Sequence, residues 1–287
     1  MAKQRILLQL DSDPQPSVFD AVVAVDAGVE HLLARCGVTV ESVRDLVHGA
    51  MFTRGPDDLR QTAIFIGGSD VAKGEALLAE IRATFFGPLR VSVMLDSNGA
   101  NTTAAAAVIA AEKHVRLADA AALVLGGTGP VGERVARLLA REGANVRVGS
   151  RSSQRAAAVC EKIAAAVSDA QLTPHATDTP AGIGNALEGV TIVISAGGAG
   201  VQLLSAAART ASQTIQVAVD LNAVPPVGLE GIDPQDRGTE RDTAACYGAI
   251  GVGGTKMKIH KAALRRLFTT NDAILDAEEI FEIGRSL

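Results

Sequence analysis

The chain has 287 residues, a formal net charge of −5, 47% hydrophobic residues and 21% charged ones. That is enough chain for two domains of usual size with a substantial core, in an ordinary globular composition. The acidic balance argues against an extended nucleic-acid surface or an anionic membrane, and 3% aromatic residues with no Trp argue against base-stacking platforms.

Residues 6–11 read as a buried strand, closed by the loop Ser12-Asp13-Pro14-Gln15-Pro16. The N-terminus runs straight into that strand without a signal segment, and no run reaches the apolar length of a membrane span, so a cytoplasmic location is expected. Ser17 suits the N-cap of a helix through Phe19 and Asp20 to about Ala34. Residues 50–53 and 62–67 look like further strands. A helix then starts at Ser69-Asp70 and ends near Phe85-Phe86-Gly87-Pro88, and residues 90–96 form another strand. Cys36, Cys160 and Cys246 include no C-x-x-C pair and read as thiols in a reducing compartment, not as a disulfide frame or metal site.

After residue 96 comes the small, polar stretch Ser97-Asn98-Gly99-Ala100-Asn101-Thr102-Thr103, then a helix over residues 104–113. Asp96 sits at the carboxyl end of its strand, where ligands collect in open α/β sheets. A ligand site and a capped turn are equally good readings of this stretch.

Residues 121–125 form an apolar run that meets Gly126-Gly127-Thr128-Gly129-Pro130-Val131-Gly132 and opens into a helix. Gly127, Gly129 and Gly132 keep the G-x-G-x-x-G spacing of a dinucleotide fingerprint. The first glycine is expected to permit the turn, the second to admit a pyrophosphate, and the third to let helix and strand pack. Free N–H groups at the helix start would meet the phosphates. A second strand over residues 144–149 follows, but no carboxylate ends it; Ser150, Arg151 and Arg155 stand there instead. A hydroxyl and guanidinium groups suit a 2′-phosphate, which favours NADP over NAD unless the arginines merely begin a solvated helix.

Later strands over residues 190–195 and 214–220 end in Ser195-Ala196-Gly197 and Asp220-Leu221-Asn222. The former is expected beside the nicotinamide half of the cofactor, and Asp220 and Asn222 are expected to contact the cofactor as well. Residues 248–254 read as a mobile or tightly folded glycine segment that delivers Lys256 into a helix running to about Phe268. A final helix over residues 275–283 is expected to return to the first domain. The predicted architecture is two α/β domains separated by a cleft, the second a Rossmann-like doubly wound parallel sheet. Residues 1–110 plus 265–287 form the substrate domain, and 111–264 the NADP domain.

The chemistry suggested is unusual for a dehydrogenase. Tyr247 has no Y-x-x-x-K partner, and His31, His48, His114, His175 and His260 are scattered, none in a polar strand-end cluster; His175 reads as lying in a polar loop. A reaction with little acid–base work fits, such as hydride removal from a methylene held between two nitrogens. A carboxylate near the developing cation would help, with Asp20 and Asp96 as candidates.

Several stretches together carry a resemblance. Asp11-Ser12-Asp13-Pro14-Gln15-Pro16-Ser17-Val18-Phe19-Asp20, Phe52-Thr53-Arg54-Gly55, Phe85-Phe86-Gly87-Pro88 and Met94-Leu95-Asp96-Ser97-Asn98-Gly99 resemble NADP-dependent methylene-tetrahydromethanopterin dehydrogenases. Asn101-Thr102-Thr103-Ala104-Ala105-Ala106, the glycine fingerprint and residues 248–260 extend the likeness through nearly the whole chain. The resemblance implies oxidation of methylene-tetrahydromethanopterin to the methenyl form with NADP (NAD in some members) by a homo-oligomer, a trimer being the state it implies. It implies Lys256 as the catalytic residue with Asp20 as companion, and substrate contacts at Asp96, Asn98, Asn101, Thr102, Thr103 and Thr53. A methylene-tetrahydrofolate dehydrogenase of the same type and a non-catalytic NADP-sensing module are the alternatives.

Overall fold

The computed structural model describes residues 3–287. The chain divides into two compact units, one of Met1–Thr102 with Met257–Leu287 and one of Thr103–Lys256. Both divisions fall earlier in the chain than the boundaries expected at 110 and 264.

In the first unit the order is β1 (Ile6–Leu10), α1 (Val18–Asp26), β2 (His31–Arg35), α2 (Val40–Met51), β3 (Thr62–Ile66), α3 (Val71–Thr84) and β4 (Ser92–Leu95). Helix α4 (Ala100–Glu112) leads to the second unit. There follow β5 (Ala121–Leu125), α5 (Pro130–Arg141), β6 (Asn145–Ser150), α6 (Ser153–Ala166), β7 (Gln171–Ala176), α7 (Pro180–Leu187), β8 (Ile192–Ser195), α8 (Ala206–Ala211) and β9 (Val217–Asp220). The chain ends with β10 (Arg237–Arg241), β11 (Ala244–Tyr247), α9 (Ala249–Arg266), β12 (Ile274–Leu275) and α10 (Ala277–Arg285).

The first sheet has five strands in the order β12-β4-β3-β1-β2, all parallel. Its strand direction of growth reverses between β1 and β3, so the loops after those strands flank the switch-point crevice where α/β sheets take ligands. The second sheet has seven strands in the order β10-β11-β9-β8-β5-β6-β7, parallel except for the β10–β11 pair. It reverses between β5 and β8, as in a doubly wound nucleotide-binding sheet.

Near-continuous apolar runs build both cores, as strands covered on two faces require. In the first unit Leu8, Leu10, Ile64, Ile66, Val93 and Leu95 pack against Val43 and Val47 of α2 and Leu77 and Ile81 of α3. In the second, Leu123, Leu125, Val193 and Ala218 pack with Leu187, Leu204 and Ile215.

Four expectations need correction. The helix from Ser17 stops at Asp26, because Gly28 adopts φ +92°, and His31–Arg35 then pairs with β1 as an edge strand. Residues 50–51 end α2 rather than starting a strand; Val43, Val47, Ala50 and Met51 form its buried helical face. The glycines over 248–254 are mostly the first turns of α9, not a separate segment. A Cβ at Gly251 would collide with the Asp236 carbonyl, so glycine there serves close packing. His175 lies in β7, half-buried, and burial, aided by Arg147, pushes its imidazole pKa down.

Candidate active site

In the second unit the fingerprint loop connects β5 to α5, with Gly129 as N-cap and Pro130 in the first turn. No side chain caps this helix, so its first N–H groups face the loop mouth without an internal acceptor from a cap. The left-handed turn falls at Gly126 (φ +70°), one residue before the position the spacing suggested. Gly127 instead packs tightly, since its Cβ would lie 2.8 Å from Val148 Cγ1 and 2.9 Å from the Val124 carbonyl oxygen. Gly132 has the role expected of it, because a Cβ there would strike the Gly126 carbonyl.

The same turn meets the second glycine segment. A Cβ at Gly126 would lie 2.8 Å from Gly197 N and 2.9 Å from the Ala196 carbonyl carbon. Ser195, Ala196 and Gly197 are thereby brought against the fingerprint at the β5/β8 reversal, with Ser195 fully buried. Ser150, buried at the end of β6, places its Oγ 3.5 Å from Thr128 Oγ1 and accepts the Ser152 N–H at 3.3 Å. Ser152 caps α6 by accepting from Arg155 N, and Arg151 and Arg155 are exposed beside it. A dinucleotide fits this arrangement: a loop whose Cβ positions are closed by backbone, hydroxyls at the strand end, and two guanidinium groups where a carboxylate would repel a 2′-phosphate.

Asp220 and Asn222 have internal work. Asp220 is buried and accepts from Asn222 N at 3.1 Å and Leu229 N at 2.8 Å. Burial pushes its carboxyl pKa up, against the lowering effect of those bonds. Asn222 donates to the Pro226 carbonyl and accepts from Val224 N. The two side chains shape the 221–229 loop beside the site.

In the first unit two aspartates that the sequence reading did not single out order the β1 loop, and Asp13 ties it to the β3 loop. Asp11, buried, accepts from Ser17 N and Asp13 N, and Asp13 accepts from both Ser69 N and Ser69 Oγ at 2.8 and 2.9 Å. Asp20 stands in the first turn of α1, half-buried; a Cβ at Gly67 would lie 3.3 Å from Asp11 Oδ2 and 3.5 Å from Asp20 Oδ2. Asp20 is therefore at the β1/β3 crevice.

The stretch after β4 is largely a capped turn. Asp96 accepts from Thr102 N at 3.0 Å and Thr102 Oγ1 at 2.7 Å, and Asn101 Nδ2 donates to the Leu95 carbonyl and to Asp276 Oδ1. All three side chains are buried. Asn98 is exposed with φ 55°, and Thr103 is half-buried. His260 corrects the statement that no histidine joins a strand-end cluster: it is buried, 4.0 Å from Asp96 Oδ2 and stacked on Phe65 with centroids 5.5 Å apart. Its partners lie too far away in sequence for spacing to reveal them. Lys256 is half-buried in the interior of α9, not at a helix start. Thr53 is not gathered with the others; it follows α2 on the amino side of β3.

Among the described residues no group of three or more His, Cys, Asp or Glu side chains is placed to hold a metal ion. No helix of the described residues is long and apolar enough to cross a membrane.

Residues 18–98 match the family described as methylene-tetrahydromethanopterin dehydrogenase, N-terminal. The chain is also 41% identical over 286 residues to the bifunctional protein MdtA of Methylorubrum extorquens, covering 99% of each. The chain belongs to the methylene-tetrahydromethanopterin dehydrogenase family. A second relative from the same organism, the NAD(P)-dependent methylenetetrahydromethanopterin dehydrogenase, is 29% identical, with 93% of each chain covered. Quinate dehydrogenase from Corynebacterium glutamicum, solved with NAD, shares the fold at a TM-score of 0.55 and 16% identity, over 99% of this chain and 100% of that one.

Proposed function

We propose that this family member transfers a hydride from the one-carbon methylene of methylene-tetrahydromethanopterin to NADP, giving the methenyl cation and NADPH. The observation that carries the reading is the relationship to MdtA along the full chain. When bound, NADP supplies the hydride acceptor. The chain's own residues bind and orient: the backbone N–H groups at the start of α5 receive the pyrophosphate, and Ser150, Arg151 and Arg155 receive the 2′-phosphate. The first unit takes the pterin at the carboxyl ends of β1, β3 and β4.

Removing a hydride from a carbon between two nitrogens leaves a cation stabilised by the nitrogens, and no proton needs to move. Asp20 provides negative charge near that developing cation. An ammonium beside the same carbon would be repulsive, so Lys256 orients the pterin ring by hydrogen bonding. The reading includes a cytoplasmic homo-oligomer, with a trimer as the state to test by light scattering.

The deciding experiment follows NADPH absorbance with methylene-tetrahydromethanopterin and methylene-tetrahydrofolate, each with NADP and NAD. A carrier-dependent rise supports the enzyme. Cofactor binding with no turnover on either carrier identifies a nucleotide-sensing module instead.

A further inference from the structure

Helix α1 is apolar on two opposite sides. Val23 and Ala24 are buried, 3% and 1% exposed, whereas Val18, Val22 and Val25 are 77%, 57% and 62% exposed. At 100° per residue the exposed three lie within about 60° of arc, across the helix from the buried pair. A helix apolar all round belongs in an interior, yet no part of the described chain covers this side. With Phe19 beside it, 54% exposed, the stripe offers roughly 400 Å² of apolar surface, and monomers rarely leave more than a few hundred contiguous.

The spacing from Val18 to Val22 to Val25, four residues and then three, is the spacing by which one helix seam meets another. All three side chains are β-branched, so docking takes little rotamer freedom from them. At the edge of the stripe Asp26 Oδ2 lies 3.7 Å from Lys261 Nζ, and Arg265 Nη2 donates to the Asp26 carbonyl at 3.5 Å. An uncharged centre with both signs at its edge suits a partner that carries the same pattern, and gives a strongly anionic or cationic partner no matching field. That partner is a second copy of the chain. Each copy would contribute about 400 Å² of apolar contact, about half of the surface that a standard interface takes from each side.

We infer that α1 is the face through which copies of this chain associate, helix against helix, with each Val22 facing its symmetry mate across the axis. Asp20 is about 160° round the helix from Val22, on the side of Val23 and Ala24, so the contact leaves the β1/β3 crevice open. The inference rests on the homo-oligomer reading given above and supplies its contact surface.

Light scattering of the full chain across a dilution series tests it. Wild type is expected to be oligomeric. Val22→Glu sets like charges face to face and should raise the dissociation constant about 100-fold or more. Val22→Lys should do the same, and an equal mixture of the two variants should associate again. Val25→Gln is milder, with about a tenfold increase expected, and decides the matter if circular dichroism shows that a charge at 22 prevents folding. Phe86→Ser is the control: Phe86 is 72% exposed on the turn after α3, and its loss should leave the mass unchanged. A monomeric wild type overturns the inference and the homo-oligomer reading together. An oligomeric wild type whose mass survives both Val22→Glu and Val25→Gln overturns the inference alone, as does a Glu/Lys mixture that stays dissociated.

Discussion

His260 Nδ1 stands 4.0 Å from Asp96 Oδ2, with both side chains buried and the imidazole stacked on Phe65. The same carboxylate oxygen accepts from Thr102 Oγ1, so one aspartate links the end of β4 to α4 and α9. Asp96→Ala removes the acceptor of two Thr102 bonds and the partner of His260 together. It is expected to destabilise the protein by about 2–4 kcal/mol, chiefly because two buried Thr102 donors lose their acceptor. His260→Ala leaves the Thr102 bonds intact and should cost less. Urea denaturation of both variants checks the order; equal losses would mean that Thr102 contributes nothing to the effect.

Asp20 and Lys256 separate the proposed chemistry from simple binding. Asp20→Asn keeps the size and loses the charge, so turnover should fall by about 10²-fold, the scale of removing one preorganised electrostatic group. Lys256→Ala should lower turnover by at least about tenfold through lost orientation. NADP affinity, measured by fluorescence titration, should stay near wild type in both. Near-normal turnover in both variants would show that these residues do not form the site.

The glycine turn gives a sharper structural test. Gly126→Ala forces a Cβ into a left-handed residue and against Ala196 and Gly197. It is expected to cost about 1–3 kcal/mol and to weaken NADP binding. Gly198→Ala is the control, since its Cβ would approach nothing closer than 4.0 Å. Thermal melts and NADP titration of the pair distinguish the turn from glycine content in general.

The fingerprint was legible because its causes are local: a strand, a turn and a helix start lie within a dozen or so neighbouring positions. Even there, spacing put the turn at Gly127, when only the contact with Ala196 and Gly197 identifies Gly126 as the left-handed residue. Whether Asp96 met a ligand or capped a turn was not legible, because Thr102 and His260 reach it by folding and the second comes from α9. Residues 31–35 misled for a related reason. Leu32, Leu33, Ala34 and Arg35 are good helix formers, and pairing with β1 overrides that preference to make a strand. Thr53 shared a motif with the family but not a place with the other candidates, since a short motif carries no information about which end of a sheet it occupies.

Arg151 tests the nucleotide preference. It is exposed at the end of β6, next to Ser150, where an NAD site would carry a carboxylate. Arg151→Asp replaces attraction for a 2′-phosphate with repulsion and offers an acceptor to the ribose hydroxyls. The ratio of kcat/KM for NADP over NAD should fall by about tenfold or more, a difference of roughly 1.4 kcal/mol. The change should shrink at high salt, because the charge is solvent-exposed. An unaltered ratio removes Arg151 from the phosphate site and leaves Ser150 and Arg155 to account for any preference.

Asp220 should make stability depend on pH in the direction opposite to that of most carboxylates. Burial raises its pKa in the folded protein above the ordinary aspartate value, so the folded state holds its proton more tightly than the unfolded chain. Its contribution therefore favours folding at acidic pH, and that part is lost as pH rises from the ordinary carboxylate range through the raised pKa. Asp220→Asn cannot ionise. It keeps an acceptor for one of the two backbone N–H donors, Asn222 N or Leu229 N, and loses the other, so it should be less stable than wild type at acidic pH. As pH rises toward neutrality the gap between the two proteins should narrow, because only the wild type bears the cost of a buried charge. Paired thermal melts across that range check it, and a gap that widens with pH would mean that the ionised carboxylate is the form the 221–229 loop prefers.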